Sequence, residues 1–267
     1  MKTIIVTSET LRDVQQAAPA CVIALGFFDG VHLGHQQVIE AAKLQAQRLQ
    51  LPLALMSFTT HPLNVLSSTK KVGQLTALEM KRQKLQQLDV DLFYLVEFTR
   101  HFAQLTPNEF VEQFLMKLQV KHAVAGFDYS YGKMGAGKLQ DIPFFSSGQI
   151  QVTEVPCITC DDEKISSTAI RQRLHTGAVH EISRFLGHDY RSKVQLKNGH
   201  FRLVDDTMLP TAGRYAVRIL TANGQYDTEI TIDPFGVMRG MAHIPEEGVA
   251  WIKWLACKSI FSKINII

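Results

Sequence analysis

Cys21-Val22-Ile23-Ala24-Leu25-Gly26-Phe27-Phe28-Asp29-Gly30-Val31-His32-Leu33-Gly34-His35 is the segment from which the architecture can be read. The apolar run that closes at Gly26 has the length and composition of a buried strand, and residues 35–50 carry an amphipathic helical pattern. A buried strand, a glycine-containing turn and a helix open a βαβ unit, and the same alternation continues downstream. Strands are expected at 20–26, 53–58, 92–96, 121–126 and 150–155. Between them, residues 77–88 form a helix in which Thr76 and Glu79 have capping-box spacing. The next helix opens with Thr106 as N-cap, Pro107 in the first turn and Glu109 as capping glutamate. Its apolar face is Phe110, Val111, Phe114, Leu115 and Leu118. Two short helices, 168–175 and 179–186, end at Gly177 and Gly187. The chain to residue 187 therefore reads as an α/β domain with a parallel sheet.

Beyond Gly187 the period drops to two, and Asn198-Gly199 and Asn223-Gly224 supply the dipeptide of type I′ hairpin turns. Strands are expected at 215–220, 229–232 and 249–255, with turns at Pro234-Phe235-Gly236 and Glu246-Glu247-Gly248. Residues 188–267 thus suit a small all-β, barrel-like domain, with a tight boundary near Gly187 to Tyr190 and neither an internal repeat nor a low-complexity linker.

Composition narrows the function classes. The 267 residues carry 28 Lys and Arg against 25 Asp and Glu, a formal charge of +3, with 46% hydrophobic and 20% charged residues. That balance excludes disordered and collagen-like chains, and the scattered basic residues give nucleic-acid binding no electrostatic footprint. No apolar run approaches the roughly 18 residues of a membrane span. Residues 1–10 lack the apolar core of a signal peptide, so cytoplasm is the expected compartment. Cys157 and Cys160 are spaced like half of a zinc or redox site, but the remaining two cysteines form no second pair, which favours ordinary thiols.

At the strand-to-helix turn, helix N-terminal amides and the dipole's positive end attract phosphate, and Gly34 permits close approach. His32 and His35 can donate hydrogen bonds to phosphate oxygens in a transition state; the plain alternative is a pair of helix-start histidines without a role. Ser166, Ser167 and Thr168 lie where a loop enters a helix and offer hydroxyls and free amides, with Arg171 adding a charge to meet a departing pyrophosphate. Alone, that run is equally an N-cap cluster. Asp128, beyond a strand end, can bind a hydroxyl or amine, or simply form a turn. Gly132, Gly137 and Lys138 have P-loop spacing, but Leu139 occupies the position of the magnesium-binding hydroxyl and Pro143 opposes a long helix. A glycine-rich loop over substrate, with Lys133 and Lys138 near phosphates, is the preferred reading.

Taken together, Gly26, Phe28-Asp29-Gly30-Val31-His32 and Gly34-His35 resemble the signature of the HIGH-type nucleotidyltransferases, and specifically of the prokaryotic FAD synthetases. Ser57-Phe58 with His61-Pro62, Gly126-Phe127-Asp128-Tyr129 with Tyr131-Gly132, and Ile165 to Arg171 resemble that family's further segments, in order, across residues 20–187. The resemblance implies a Rossmann-like nucleotidyltransferase domain at 1–187 that transfers AMP from ATP to FMN, with Mg2+ carried largely by phosphates and water. It implies His32, His35 and Arg171 as catalytic residues. Gly26, Phe27, Phe28, Asp29, Gly34, Gly126, Asp128, Ser166, Ser167 and Thr168 would bind ATP, and Phe58 and His61 the flavin; no protein ligand to the metal is implied. Phe58 is from its sequence context equally a core side chain.

Bifunctional members of that family carry a second domain, a riboflavin kinase barrel with a glycine-arginine-glycine-phenylalanine-proline-threonine-alanine-asparagine run for Mg-ATP. Here the run is missing, and only Gly213-Arg214-Tyr215-Ala216 resembles the segment that follows it. Residues 188–267 therefore read as a degenerate kinase-like domain, with FMN supplied by a separate riboflavin kinase. The alternatives are a bifunctional enzyme with a kinase site rebuilt from Asp205, Asp206 and Thr207, another phosphate acceptor, or a flavin-sensing protein. Trp251, Trp254, Phe261, Ile264, Ile266 and Ile267 have a core role or form a surface for a dimer or other partner.

Overall fold

The computed structural model describes residues 1–67, 69, 71–240, 244 and 247–261. It comprises two compact units. A sheet unit holds residues 1–28, 34–72 and 82–158, and a barrel unit holds residues 29–33, 73–81 and 159–267.

The sheet unit is built on β1 (Lys2–Val6), β2 (Cys21–Leu25), β3 (Leu53–Phe58), β4 (Leu92–Val96), β5 (Val120–Gly126) and, after a short hairpin of β6 (Ser130–Tyr131) and β7 (Gly137–Lys138), β8 (Gln151–Val155). The six long strands form one sheet in the order β1-β4-β3-β2-β5-β8, with every pairing parallel. All five residues of β2 are buried, the property that makes its sequence a continuous apolar run rather than an alternation. The connections include α1 (Leu11–Ala17), α2 (Leu33–Leu49), α3 (Pro62–Leu66), α4 (Leu78–Gln87), α5 (Pro107–Phe110) and α6 (Ile142–Phe145). The chain builds β2, β3 and β4 to one side and then places β5 on the other side of β2. The order reverses between β2 and β5, the position at which open parallel sheets bind ligands beyond their carboxyl ends.

The five expected strands of this sheet are present; β1 and α1 were not expected. β1 is an edge strand with a single buried residue and α1 has none, so neither carries the apolar signature of the interior. Thr106 caps α5 as expected, with Glu109 completing the box. The helix that follows is not uniform: Val111–Met116 is a π-turn, marked by the Lys117 amide donating to Glu112 O, which still buries Val111, Phe114 and Leu115. The Glu79 carboxylate pairs with Lys193 within the barrel unit.

In the barrel unit, β9 (Thr159–Cys160) and β10 (Glu163–Lys164) form a short hairpin before α7 (Ser167–Thr176) and α8 (Ile182–Leu186). These helices end at Gly177 and Gly187 as expected, each in the left-handed conformation, φ 74° and 75°. β11 (Arg191–Lys197), β12 (His200–Leu203), β13 (Gly213–Leu220), β14 (Gln225–Ile232), β15 (Met238–Gly240) and β16 (Gly248–Ile260) close into an antiparallel barrel in the order β11-β12-β15-β14-β13-β16. Alternate residues point inward, among them Tyr215, Val217, Ile219, Ile252 and Trp254. Trp254 Nε1 donates to Ser192 Oγ at 2.9 Å, and its ring meets Tyr215 edge-on, so the indole is core. Trp251 is half-buried with Lys193 over its ring, while Ile264, Ile266 and Ile267 lie outside the described residues.

The turn chemistry divides. Asn198 and Gly199 both have positive φ, 50° and 73°, as a type I′ turn requires. At Asn223-Gly224 the expectation fails: the connection from Leu220 to Gln225 is a four-residue loop in which Thr221 Oγ1 accepts from the Gly224 amide and donates to its carbonyl. Asp233 organises the turn at Pro234-Phe235-Gly236, accepting from the Phe235 and Val237 amides. Of the remaining expected turn, Glu246 lies outside the described residues. The change from α/β to all-β structure falls between α8 and β11, at the sequence boundary near residue 187. Compactness divides the chain differently, joining 29–33, 73–81 and 159–187 to the barrel.

Candidate active site

Within the sheet unit, β2 delivers Gly26, Phe27 and Phe28 to its carboxyl end. A Cβ on Gly26 would stand 3.1 Å from the Phe28 ring, so glycine leaves room for that buried ring to fold back without a shift. The Phe27 carbonyl accepts from the buried Ser57 hydroxyl at 2.6 Å, tying the turn after β2 to the end of β3. The Phe28 ring, at a positive φ of 52°, packs 5.1 Å from His35 in the first turn of α2. That helix starts at Leu33, so Gly34 and His35 are both helical.

Phe58, half-buried at the end of β3, stands 5.0 Å from Phe98 and 5.4 Å from Phe102, and Phe27 lies 4.9 Å edge-on to His61. The expected flavin residues thus sit in a larger aromatic group to which Phe27, Phe98 and Phe102 also belong. His61 has a further task, because its Nδ1 accepts from the Leu63 amide as N-cap of α3. At the end of β5, Asp128 is exposed in a tight turn closed by the Tyr129 amide on Gly126 O. The turn expected at Asp128 is therefore present.

The glycine-rich segment is an ordered hairpin rather than a P-loop. Gly132 has φ 72°, and a Cβ there would approach Pro107 N to 2.9 Å. Tyr131 and Leu139 are buried on either side of the hairpin, and the turn of α6 that follows contains Pro143.

Within the barrel unit, Asp29, Gly30 and Val31 make a 3-10 turn with positive φ at Gly30 and Val31, and His32, 6% exposed, follows. Asp29 is 4% exposed. Its carboxylate accepts from the Leu75 amide at 2.8 Å and from the Thr76 amide, and receives the Arg171 guanidinium in an ion pair. Ser167 Oγ donates to the Asp29 carbonyl at 2.9 Å. Burial pushes the Asp29 carboxyl above the ordinary carboxylate range, against the opposing pull of Arg171, the Leu75 amide, Lys81 and the Thr76 amide. Burial likewise draws Lys81 down to about 8, with the Asp29 charge acting the other way.

These contacts engage residues expected at the site. Asp29 faces inward as an anchor. Arg171 is held by that anchor, with a second bond of 3.4 Å to Gly73 O. Of the three hydroxyls, Ser166 Oγ caps α7 by accepting from the Ala169 amide and Ser167 Oγ is spent on Asp29 O, while Thr168 is exposed. The amides of Ser167 and Thr168, in the first turn of α7, point out of the helix N-terminus. Lys81 and the 73–76 backbone carried no sequence signal as site components. Among the described residues there is no group of three or more His, Cys, Asp or Glu that could hold a metal ion, and no helix is long and apolar enough to cross a membrane.

Known proteins resemble the chain along most of its length. The bifunctional riboflavin kinase/FMN adenylyltransferase of Listeria monocytogenes is 41% identical over 242 residues, 84% of this chain and 75% of that protein. A FAD synthetase of the same organism is 33% identical over 201 residues, 73% of this chain and 80% of that protein. A crystal structure from Streptococcus pneumoniae, titled a macrolide-efflux protein, superposes with a TM-score of 0.86 at 26% identity, covering 100% of this chain and 94% of that one. The family described as FAD synthetase matches residues 14–169, which take in the β2 turn, the aromatic group, the β5 loop and the start of α7, and the chain belongs to that family.

Proposed function

We propose that the chain transfers AMP from ATP to FMN, giving FAD and pyrophosphate. A phosphate oxygen of FMN attacks the α-phosphorus of ATP, the new P–O bond forms in line with the one that breaks, and the electron pair leaves on pyrophosphate. FMN phosphate is already an anionic nucleophile, so no covalent intermediate and no general base are required; the protein aligns two polyanions and offsets their charge. The observation that carries this reading is that Gly34 and His35 stand in the first turn of α2, in the sheet unit whose strand order reverses between β2 and β5.

His32 and His35 donate to phosphate oxygens as charge develops, and the Ser167 and Thr168 amides at the α7 N-terminus bind the leaving pyrophosphate. Gly26 and Gly126 leave room at the strand ends, and Asp128 receives a hydroxyl or amine of the nucleotide. Phe58, together with Phe98 and Phe102, offers faces to the isoalloxazine ring. Mg2+ enters as part of the nucleotide substrate. The donor set fits this, because the acid nearest the turn, Asp29, is engaged by Arg171 and two amides. Purified protein with FMN, ATP and Mg2+ forms FAD and pyrophosphate by chromatography if this is right; absence of FAD refutes it.

For the barrel we propose loss of riboflavin phosphorylation, so that FMN comes from a separate kinase. The missing kinase run supports this, as does the engagement of two of the alternative residues, since Asp205 accepts from both the amide and the hydroxyl of the buried Thr207. The second reading, a retained kinase, is favoured by the relative named as bifunctional, whose match covers 84% of this chain. Labelled ATP with riboflavin as the sole flavin separates them: FMN appears if the kinase is retained and stays at background if it is lost.

A further inference from the structure

We propose that Lys81 is a positioning residue for this transfer: its buried ammonium joins Arg171 on the Asp29 carboxylate and so holds the 166–171 segment in its working geometry. The inference rests on the activity proposed above.

Lysine is almost never fully buried without an anion, yet Lys81 is 6% exposed, and the anion acting on it is Asp29, at 4%. Two stretches of chain meet on that carboxylate. Residues 73–81 reach it through the Leu75 and Thr76 amides and through the Lys81 charge. α7 reaches it through the Arg171 guanidinium and, one backbone atom group away, through the Ser167 hydroxyl on Asp29 O. Arg171 then returns to the first stretch through Gly73 O. A carboxylate facing one arginine would already be neutralised. The second cation leaves this buried group with a net positive charge, a sign that attracts a polyanion to its neighbourhood.

The buried Tyr190 feels the charges of Asp29, Asp205 and Arg171, but its hydroxyl is committed to Met208 O at 2.7 Å. The ionisable groups acting on Asp29 are thus Arg171 from α7 and Lys81 from α4, with Tyr190 beside them. Without the Lys81 charge, one of the forces holding Asp29 ionised against its burial is removed. Protonated Asp29 would release Arg171 and loosen the start of α7.

The test uses the full chain as wild type, Lys81→Met and Lys81→Arg. FAD formation gives kcat and KM for ATP from pH 6 to 10, FMN binding is read by flavin fluorescence, melting temperature by calorimetry, and hydrogen exchange at the Leu75 and Thr76 amides. Lys81→Met should lower kcat/KM for ATP by roughly 10- to 100-fold, the scale of a small misplacement of catalytic groups. FMN affinity should stay within about twofold, exchange at both amides should speed up, and the acid limb of the rate profile should move to higher pH. Wild type should lose rate as pH rises past about 8, where Lys81 gives up its proton, and Lys81→Arg should keep its rate there because guanidinium stays charged. An active wild type beside a Lys81→Met protein with unchanged kcat/KM overturns the inference. So does a loss that follows melting temperature alone while the acid limb and the two amides are unmoved. Should Lys81→Met fail to fold, a wild-type rate that stays level through pH 8 to 10 overturns it by itself. A wild type that makes no FAD refutes the activity instead.

Discussion

Replacing Asp29 by Asn tests the anchor directly, because the amide has the carboxylate's shape but not its charge. The Asn Oδ1 can still accept from the Leu75 amide, now at 2.8 Å, so part of the hydrogen bonding survives. The ion pair does not: Arg171, with a side chain 16% exposed, would face the Asn NH2, and the buried Lys81 would lose its counter-charge. Removing one partner of a buried pair costs about 3–5 kcal/mol. The retained amide bond and the ability of Lys81 to shed its proton place Asp29→Asn near the lower end, about 3 kcal/mol. For a unit intermediate between small and medium domains, each kcal/mol lowers the melting temperature by roughly 3–5 °C, so the variant should melt about 10 °C below wild type. The same change in an Arg171→Met background should cost only about 1 kcal/mol, giving a coupling of about 2 kcal/mol between the residues. Calorimetry of the four proteins of this cycle at pH 7 is the assay. Melting of Asp29→Asn within 3 °C of wild type, or equal costs in both backgrounds, would show that the carboxylate is not the anchor described above.

Three further outcomes follow from the geometry. His32→Ala and His35→Ala should each lower turnover by roughly 10²- to 10³-fold with FMN affinity nearly unchanged, and steady-state kinetics showing full rate in both would remove them from the reaction. Gly132→Ala forces an alanine to φ 72° with its Cβ 2.9 Å from Pro107 N, backbone on both sides, and should cost about 2–3 kcal/mol in a urea titration; an unshifted midpoint would contradict this. Trp254→Phe deletes the indole bond to the fully buried Ser192 and should cost about 2 kcal/mol, lost when Ser192→Ala is combined with it.

The sheet was legible because a parallel strand buried on both faces advertises itself: Cys21 to Leu25 contain no polar side chain other than a thiol, and all are buried. The caps were legible for a similar local reason, since Thr106 with Glu109, and Gly177 and Gly187, act on their own helix ends. What escaped were features settled by distant partners. Lys81 lies in the charged run Glu79-Met80-Lys81-Arg82, where nothing distinguishes it from its solvated neighbours; only the fold brings it to Asp29. β1 was invisible because an edge strand need bury little. Asn223-Gly224 has the dipeptide of a tight hairpin, yet Thr221 supplies a competing side-chain clamp that makes a wider loop. Ser166, Ser167 and Arg171 stand out in the sequence as a group, but the sequence could not show that two hydroxyls and the guanidinium are turned toward their own fold.

That inward commitment bears on why the barrel accompanies the adenylyl-transfer signature even where a kinase run is missing. The Gln74 amide donates to Asp206 O at 3.2 Å, and the Met208 amide donates back to Gln74 O at 2.8 Å, a two-bond splice between the segment after β12 and the segment before α4. The next residue, Leu75, gives its amide to Asp29. Asp29 in turn holds Arg171 and receives Ser167, so hydrogen bonds link the barrel connection to the start of α7 by way of the buried Leu75 and Asp29. Leu75 and Leu186 also close on Gly30, where a Cβ would come within 3.4 and 3.3 Å of their side chains, which leaves little slack at the turn carrying His32. Residues 205–208 therefore serve the first half of the chain by structure, whatever the barrel does chemically. Deleting the barrel at residue 187 would remove the strand partner of Gln74 and with it the support of the Asp29 anchor. The support that the 206–208 segment gives the Asp29 anchor runs through backbone groups, so it does not depend on which phosphoryl-transfer motif the barrel carries.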